Sequence, residues 1–125
     1  MDPLANPAAR ETSDQPLVLA SRVTGTPVFD RADNRLGHVY DLSIEKQDGR
    51  VAYAVLSFGG FMGIGGHVYP VPWEKLTYDE HRHGYLVDIS AETVKNAPSM
   101  RLDETDRPRE MEGEMYAYWD VNPYW

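Results

Sequence analysis

The chain has 125 residues, 42% of them hydrophobic and 26% charged, which is enough for one folded domain with short extensions but not for two. It contains no cysteine, so disulfides, thiolate metal sites and cysteine nucleophiles are excluded. Twenty acidic residues against twelve basic ones give a net charge of -8, which repels phosphate backbones and argues against a nucleic-acid partner. No apolar run reaches the roughly 18 to 20 residues that cross a bilayer, so we expect no membrane span.

Composition divides the chain into three zones. Residues 1–16 carry three prolines and almost no large apolar side chain, so they cannot offset their ordering entropy and are predicted to be a flexible arm. This arm lacks the basic and apolar regions of a secretory signal, which favours a cytoplasmic location. Residues 17–98 hold nearly all the aliphatic side chains and form the predicted domain. Residues 99–125 carry seven acidic and three basic side chains and form a tail that ends in aromatic residues.

The first half of the domain is predicted to consist of strands joined by tight turns. A polar stretch ending in Asp33-Asn34 suits a turn. Residues 36–44 then alternate between two faces, with Tyr40, Leu42 and Ile44 on one side, as in a half-buried strand. Asp48-Gly49 is a strong hairpin signal, because glycine tolerates the positive φ of a primed turn. The following residues 51–58 are almost wholly apolar, which indicates a strand covered on both faces.

The second half continues the pattern and ends in a short helix. Pro72 is suited to begin one helical turn, in which Trp73 is expected to be a core anchor rather than a binding aromatic residue. A hairpin is predicted around residues 80–83. Ser90 is suited to cap a helix that ends before Pro98. Many short strands with one terminal helix favour an all-β fold, a small barrel or sandwich, whose expected core anchors are Leu42, Val55 and Trp73.

Several segments together resemble a known family. Residues 25–30 (GTPVFD) followed by residues 36–39 (LGHV) look like the opening hairpin of a PRC-barrel domain, as found in free-standing bacterial proteins and in the photosynthetic reaction-centre H subunit. The apolar strand 51–58, the glycine loop 59–66 and the segment 69–73 (YPVPW) are similar as well. The resemblance covers residues 17–98. It implies a small, partly open antiparallel meander β-barrel with extended tails, which serves assembly and protein contact, needs no cofactor and has no shared catalytic residues.

Two clusters in the domain raise the alternative of a ligand-binding or metal-binding sensor. Asp79, His81 and His83 lie two residues apart, so on an extended segment their side chains face one way and two imidazoles and a carboxylate could meet a divalent metal. The favoured interpretation is an exposed hairpin tip, because such a set is only half a site. The glycine loop 59–66 offers backbone amides to an anion, but it lacks the lysine and the following helix of a phosphate loop.

Two groups of residues are candidates for an interface. The loop side chains Phe61, Met62 and Ile64 are predicted either to plug the open end of the barrel or to meet another chain. The tail carries five aromatic residues within its last ten positions, namely Tyr116, Tyr118, Trp119, Tyr124 and Trp125. Such large rings are costly to leave in water, so we expect them to dock on the chain's own barrel or on a sister subunit. Capture of a different protein is the next alternative, and a mostly free tail is the last. The sequence therefore predicts a non-enzymatic interaction module that forms homo-oligomers, with a dimer favoured.

Overall fold

The computed structural model describes residues 16–59, 67–101 and 109–125. Residues 1–15 of the predicted arm and residues 60–66 of the glycine loop lie outside the described residues. The strands are β1 (Pro27–Phe29), β2 (Arg35–Ile44), β3 (Val51–Phe58), β4 (His67–Pro72), β5 (Leu76–Asp79), β6 (Gly84–Val87) and β7 (Met100–Arg101). The helices are α1 (Ala20–Val23), α2 (Ala91–Asn96) and α3 (Arg109–Tyr118), and Trp73–Lys75 forms one 3-10 turn.

The seven strands form one sheet in the order β5-β6-β1-β2-β3-β4-β7, which is not closed on itself. The all-β class is thus confirmed, and the open sheet is consistent with a small, partly open β-barrel. One pairing departs from the predicted antiparallel arrangement. Strand β1 pairs with β6 in parallel, with Val28 opposite Tyr85 and Phe29 opposite Leu86. The β5–β6 hairpin lies beside the edge of β1 that β2 leaves free, and it is distant from β1 in sequence, so no tight turn forces β1 and β6 to run antiparallel.

The predicted turns are confirmed, and local side chains explain them. The Asp30 carboxylate accepts hydrogen bonds from the amides of Ala32 and Asn34, both at 2.9 Å, which closes the β1–β2 turn. Gly49 has φ +78° and lies in the β2–β3 hairpin as expected, but Asp48 does not have positive φ, so the connection is not a two-residue primed turn. The hydroxyl of Ser90 accepts a hydrogen bond from the Thr93 amide at 3.2 Å and caps α2 as predicted.

The predicted alternation along β2 is interrupted by a bulge. Val39 lies opposite Leu56 and Asp41 lies opposite the adjacent Val55, so Tyr40 is an extra residue on this strand. A bulge locally shifts the side chains relative to strict alternation. Accordingly Tyr40 is 45% exposed and Leu42 is only partly buried, packed against the edge of the core.

The core is centred on β3, which is buried along nearly its whole length. Residues 52–56 are all buried, as the continuous apolar run predicted. Val55 is buried among them, whereas Trp73 is half-buried and packs against the core, with its ring 5.4 Å from that of Tyr85. The fully buried side chains from other strands are Val28, Val39, Val71, Pro72 and Val87.

The prediction that the whole tail is extended is wrong for residues 109–118, which form α3. Met111, Met115 and Trp119 recur at intervals of four, which puts them on one side of a helix. Glu110 and Glu112 lie in the first turn, where negative charge interacts favourably with the helix dipole. The helical spacing of these apolar residues is hard to recognise in the sequence, because most of the neighbouring residues are acidic and Gly113 disfavours a helix.

Two glycines differ sharply in the space around them, and this difference can be tested. A Cβ atom on Gly37 would lie 1.9 Å from the carbonyl oxygen of Ser57, whereas a Cβ atom on Gly113 meets nothing within 4 Å. We expect Gly37→Ala to lower the free energy of unfolding by about 3 kcal/mol or more, because backbone would have to move. Gly113→Ala should raise it by about 0.5–1 kcal/mol, because helical glycine is entropically costly. Urea unfolding followed by circular dichroism measures both, and equal effects would contradict the packing described here.

Candidate functional site

The residues that follow the barrel form a C-terminal unit, defined as α3 together with residues 119–125. Its side chains Met115 and Tyr116 are each 1% exposed, and Trp119 is 6% exposed. All three belong to the same hydrophobic core as the strands, and α3 contacts β4. Of the arrangements considered from the sequence, the structure shows the tail docked on the chain's own barrel. Tyr116 and Trp119 are therefore internal, whereas Tyr118, Tyr124 and Trp125 are on the surface.

Tyr116 anchors this unit to the sheet. Its hydroxyl donates a hydrogen bond of 3.1 Å to the backbone oxygen of Ala52. Ala52 is the residue that the β2–β3 ladder skips, between the Ser43–Tyr53 and Ile44–Val51 pairs, so the phenol bonds at an irregular point of the sheet. Burial raises the pKa of Tyr116, and the charge of nearby Glu74 acts in the same direction. The hydroxyl therefore stays protonated at neutral pH and remains a donor.

Further side-chain hydrogen bonds surround this anchor. The Glu112 carboxylate accepts one from the Tyr53 hydroxyl at 3.4 Å and one from the Tyr124 hydroxyl at 3.3 Å. Tyr118 donates to the backbone oxygen of Thr93 in α2 at 2.6 Å. The unit is thus tied to β3 and to α2. Sequence reasoning did not find the role of Glu112, because nothing in the acidic run distinguishes this carboxylate from its neighbours.

The chain reverses direction at the end of α3. The Val121 amide donates to the Tyr116 oxygen at 3.0 Å and the Asp120 amide donates to the Ala117 oxygen at 3.2 Å. With Asp120 at φ +59°, these two bonds form a Schellman motif, which usually has glycine at this position. Val121 packs against the core, as the motif favours. The reversal brings the last residues back alongside the helix.

The reversed segment builds an aromatic cluster on the surface. The rings of Tyr124 and Trp125 meet edge to face with centroids 4.9 Å apart, and Trp125 lies 6.0 Å from the ring of Tyr116. The Arg109 guanidinium lies 4.4 Å from the centroid of the Trp125 ring, within the range of a cation–π interaction. Tyr118 and Tyr124 are each 38% exposed and Trp125 is 50% exposed. We call these three side chains the exposed rings.

The hairpin tip that was considered as a metal site is organised around Arg82 instead. The Asp79 carboxylate accepts a hydrogen bond of 2.9 Å from the His81 amide and pairs with the Arg82 guanidinium. Both His81 and His83 are exposed, and His83 adopts φ +51°. Within residues 16–59, 67–101 and 109–125, no three His, Asp or Glu side chains come together as a metal site requires. The geometry gives the sensor alternative no support in this part of the chain.

Arg82 joins two turns that are distant in sequence. Its guanidinium pairs with Asp33 in the β1–β2 turn and with Asp79, and it lies 5.8 Å from the centroid of the Phe29 ring. Desolvation on its own would raise the pKa of Asp79, but the Arg82 and His81 amides and the Arg82 charge hold that pKa below its ordinary value. These contacts reinforce the short parallel β1–β6 pairing.

The Arg82 contacts predict a pH-dependent contribution to stability. Arg82→Met should lower the free energy of unfolding near neutral pH more than Arg31→Met does. Arg31 pairs with Asp88, and both side chains are 73% exposed, so water weakens that ion pair. The pKa of Asp79 is lower in the folded protein than in the unfolded chain. Its contribution to the free energy of unfolding is therefore complete above the pKa of the unfolded chain and is lost as the pH falls through the pKa of the folded protein. The difference in the free energy of unfolding between wild type and Arg82→Met should therefore be constant from about pH 5 to 8 and shrink below about pH 4. Urea unfolding across this range measures it, and a difference that grows towards low pH would contradict the assignment.

The conformation of Asp120 gives a second prediction. Asp120→Gly should raise the free energy of unfolding by about 1 kcal/mol, because glycine adopts positive φ without strain and the substitution removes a negative charge from the helix C-terminus. Asp120→Asn isolates the charge effect and should give a smaller increase, while Asp120→Ala should lower stability. Urea unfolding of the three variants distinguishes these effects. An alanine variant as stable as the glycine variant would show that the Schellman geometry is not maintained.

The loop candidates Phe61, Met62 and Ile64 lie outside the described residues, so they stay predictions. None of the helices in the described part of the chain has both the length and the apolarity needed to cross a bilayer.

Comparison with known proteins places this architecture in a family. No curated protein matches the chain. A family model for the PRC-barrel domain matches residues 16–94, which is more than half of the chain and agrees with the segments that carried the resemblance. The match ends within α2, so the C-terminal unit lies beyond the part that the family model describes. The chain belongs to the PRC-barrel domain family.

Proposed function

We propose that this protein is a non-enzymatic assembly module of the bacterial cytoplasm, which associates into homo-oligomers, with a dimer favoured. The observation that carries the proposal is that three large rings stay exposed after the C-terminal unit has folded. Tyr118, Tyr124 and Trp125 are between 38% and 50% exposed although the same unit buries Tyr116 and Trp119. Exposed apolar surface of this kind on a soluble domain marks interaction sites.

The chemistry of the exposed rings suits a protein interface. Tyrosine, tryptophan and arginine are enriched among the residues that contribute most to binding. The rings of Tyr124 and Trp125 are held by contacts with each other, with Arg109 and with Glu112, so little side-chain entropy is lost when a partner binds. Phe61, Met62 and Ile64 are proposed as a second contact area. In this proposal Tyr116 and Trp119 position the unit from inside the core.

The proposal is tested by removing two of the exposed rings while Tyr116 and Trp119 are kept. We expect Tyr124→Ser combined with Trp125→Ser to raise the dimer dissociation constant at least about tenfold, because two interface rings are lost. The matched control is Tyr40→Ser combined with Ile44→Ser on β2, whose side chains are 45% and 46% exposed in the wild type. This control should leave the dissociation constant unchanged. Sedimentation velocity over micromolar concentrations measures all three proteins.

Two results would contradict the proposal. A wild-type chain that stays monomeric at high micromolar concentration would remove the assembly role. A control pair that weakens association as much as the Tyr124 and Trp125 pair would show that the exposed rings are not the contact. Far-ultraviolet circular dichroism and a cooperative urea transition establish that each variant is folded before its association is compared.

A further inference from the structure

We propose that the C-terminal unit is exchanged between two copies of the chain, so that α3 of one copy occupies the site on the barrel of the other. This inference rests on the proposed homo-oligomer and specifies its partner surface. The surface is the site on each barrel that α3 covers, at β4, the Ala52 end of β3 and the Thr93 region of α2. The occupant is the same ten-residue helix that fills this site in the single chain.

In the part of the chain that the structure describes, side chains make the contacts between the C-terminal unit and the barrel. Among the described residues, no backbone-to-backbone hydrogen bond joins residues 109–125 to the sheet or to α2. Three side-chain hydrogen bonds join Tyr116 to Ala52, Tyr118 to Thr93 and Tyr53 to Glu112, in addition to the apolar packing of the unit against the core. An element outside the strand ladders can leave its site and enter an identical one without breaking the sheet.

The docking also leaves one polar group of the unit unsatisfied. Three side chains of the unit are buried, but the indole N–H of Trp119 is buried too and has no acceptor among the described residues. An unpaired buried donor offsets part of the gain from apolar burial. A helix of ten residues is marginal in water by itself, so the unit depends on an apolar site being available. Such a unit can bind the site on its own barrel or the identical site on a second copy of the chain.

The number of residues between β7 and α3 sets the longest distance that the chain can span between them. Seven residues separate Arg101 from Arg109, and an extended chain of this length reaches about 25 Å. The contacts of Tyr116, Tyr118 and Glu112 are the same whether the unit lies on its own barrel or on a partner's. The balance between the two arrangements therefore depends on the effective concentration set by the connection and on any contacts that exist only in the dimer.

The exposed rings provide the contacts that exist only in the dimer. They belong to the C-terminal unit itself, and the cluster of Tyr124 and Trp125 extends from Arg109, the first residue of α3. An exchanged unit lies between its own barrel and the partner's, so rings that face water in the single chain gain a second protein surface. Reciprocal exchange also gives a closed, twofold-symmetric dimer in which each site is completed by the other chain.

Cross-linking of the full chain tests the exchange. The natural sequence has no cysteine, so Thr93→Cys and Tyr118→Cys each introduce a single thiol at positions that touch in the structure. The two single variants are mixed in equal amounts, incubated under mildly destabilising conditions and treated with a short bis-maleimide reagent. Exchange predicts a covalent dimer involving about half of the chains, the statistical limit for an equal mixture. Each variant alone, and Tyr40→Cys mixed with Tyr118→Cys, should give no such product.

The outcomes separate the inference from the proposed function. A dimer by sedimentation whose mixed variants do not cross-link would overturn the exchange while leaving the homo-oligomer intact. A monomer by sedimentation would overturn both. Because Tyr118→Cys removes one bond of the unit, isotope-filtered NMR on an equal mixture of labelled and unlabelled wild-type chains provides a second test. Contacts between Tyr116 ring protons and the Ala52 methyl group should cross between chains, and contacts found only within one chain would exclude the exchange.

Discussion

A strand that is apolar on both faces has to be covered on both faces, and this constraint on β3 governs the rest of the structure. Five consecutive residues, 52–56, are buried. The barrel supplies one layer of cover, but a domain of about 80 residues has little further material to supply a second. The C-terminal unit contributes to that cover, with Tyr116 bonded at Ala52 and Glu112 at Tyr53. The acidic tail is therefore a structural part of this protein.

The same helix also protects one side of the sheet. Strand β4 contains Pro70 and Pro72, which have no amide hydrogen to donate to a neighbouring strand. Strand β7 pairs only with the first two residues of β4. With α3 against it, this side of the sheet is poorly suited to pairing with other chains. The opposite edge is the four-residue β5, whose short length limits pairing. Both edges of the sheet are therefore poorly suited to strand pairing with another chain.

What the sequence predicts well is local. The Asp48-Gly49 turn and the Ser90 cap depend on residues within a few positions of each other, and both are confirmed. What it misses depends on distant partners. Arg82 meets Asp33 across 49 positions, and the bulge at Tyr40 exists only in register with β3.

The aromatic residues of the C-terminal unit combine a feature that the sequence predicts with one that depends on distant partners. The aromatic residues of the tail were recognisable because five of them fall within ten positions, and this density is unusual in an acidic segment. Which of them are internal could not be predicted, because that depends on how the helix meets the barrel. Tyr116 and Trp119 face the core, while Tyr118 lies between them in sequence and faces outward, as a helical turn requires.

The parallel pairing of β1 with β6 has a consequence for synthesis of the chain. The meander from β1 to β4 leaves the ribosome first, and the partner of β1 follows more than fifty residues later, since Val28 pairs with Tyr85. Until then the growing polypeptide presents an unpaired strand border next to Phe29. Contacts of such long sequence separation are slow to form. The nascent chain therefore passes through a period in which it is most exposed to misassembly and most in need of chaperone protection.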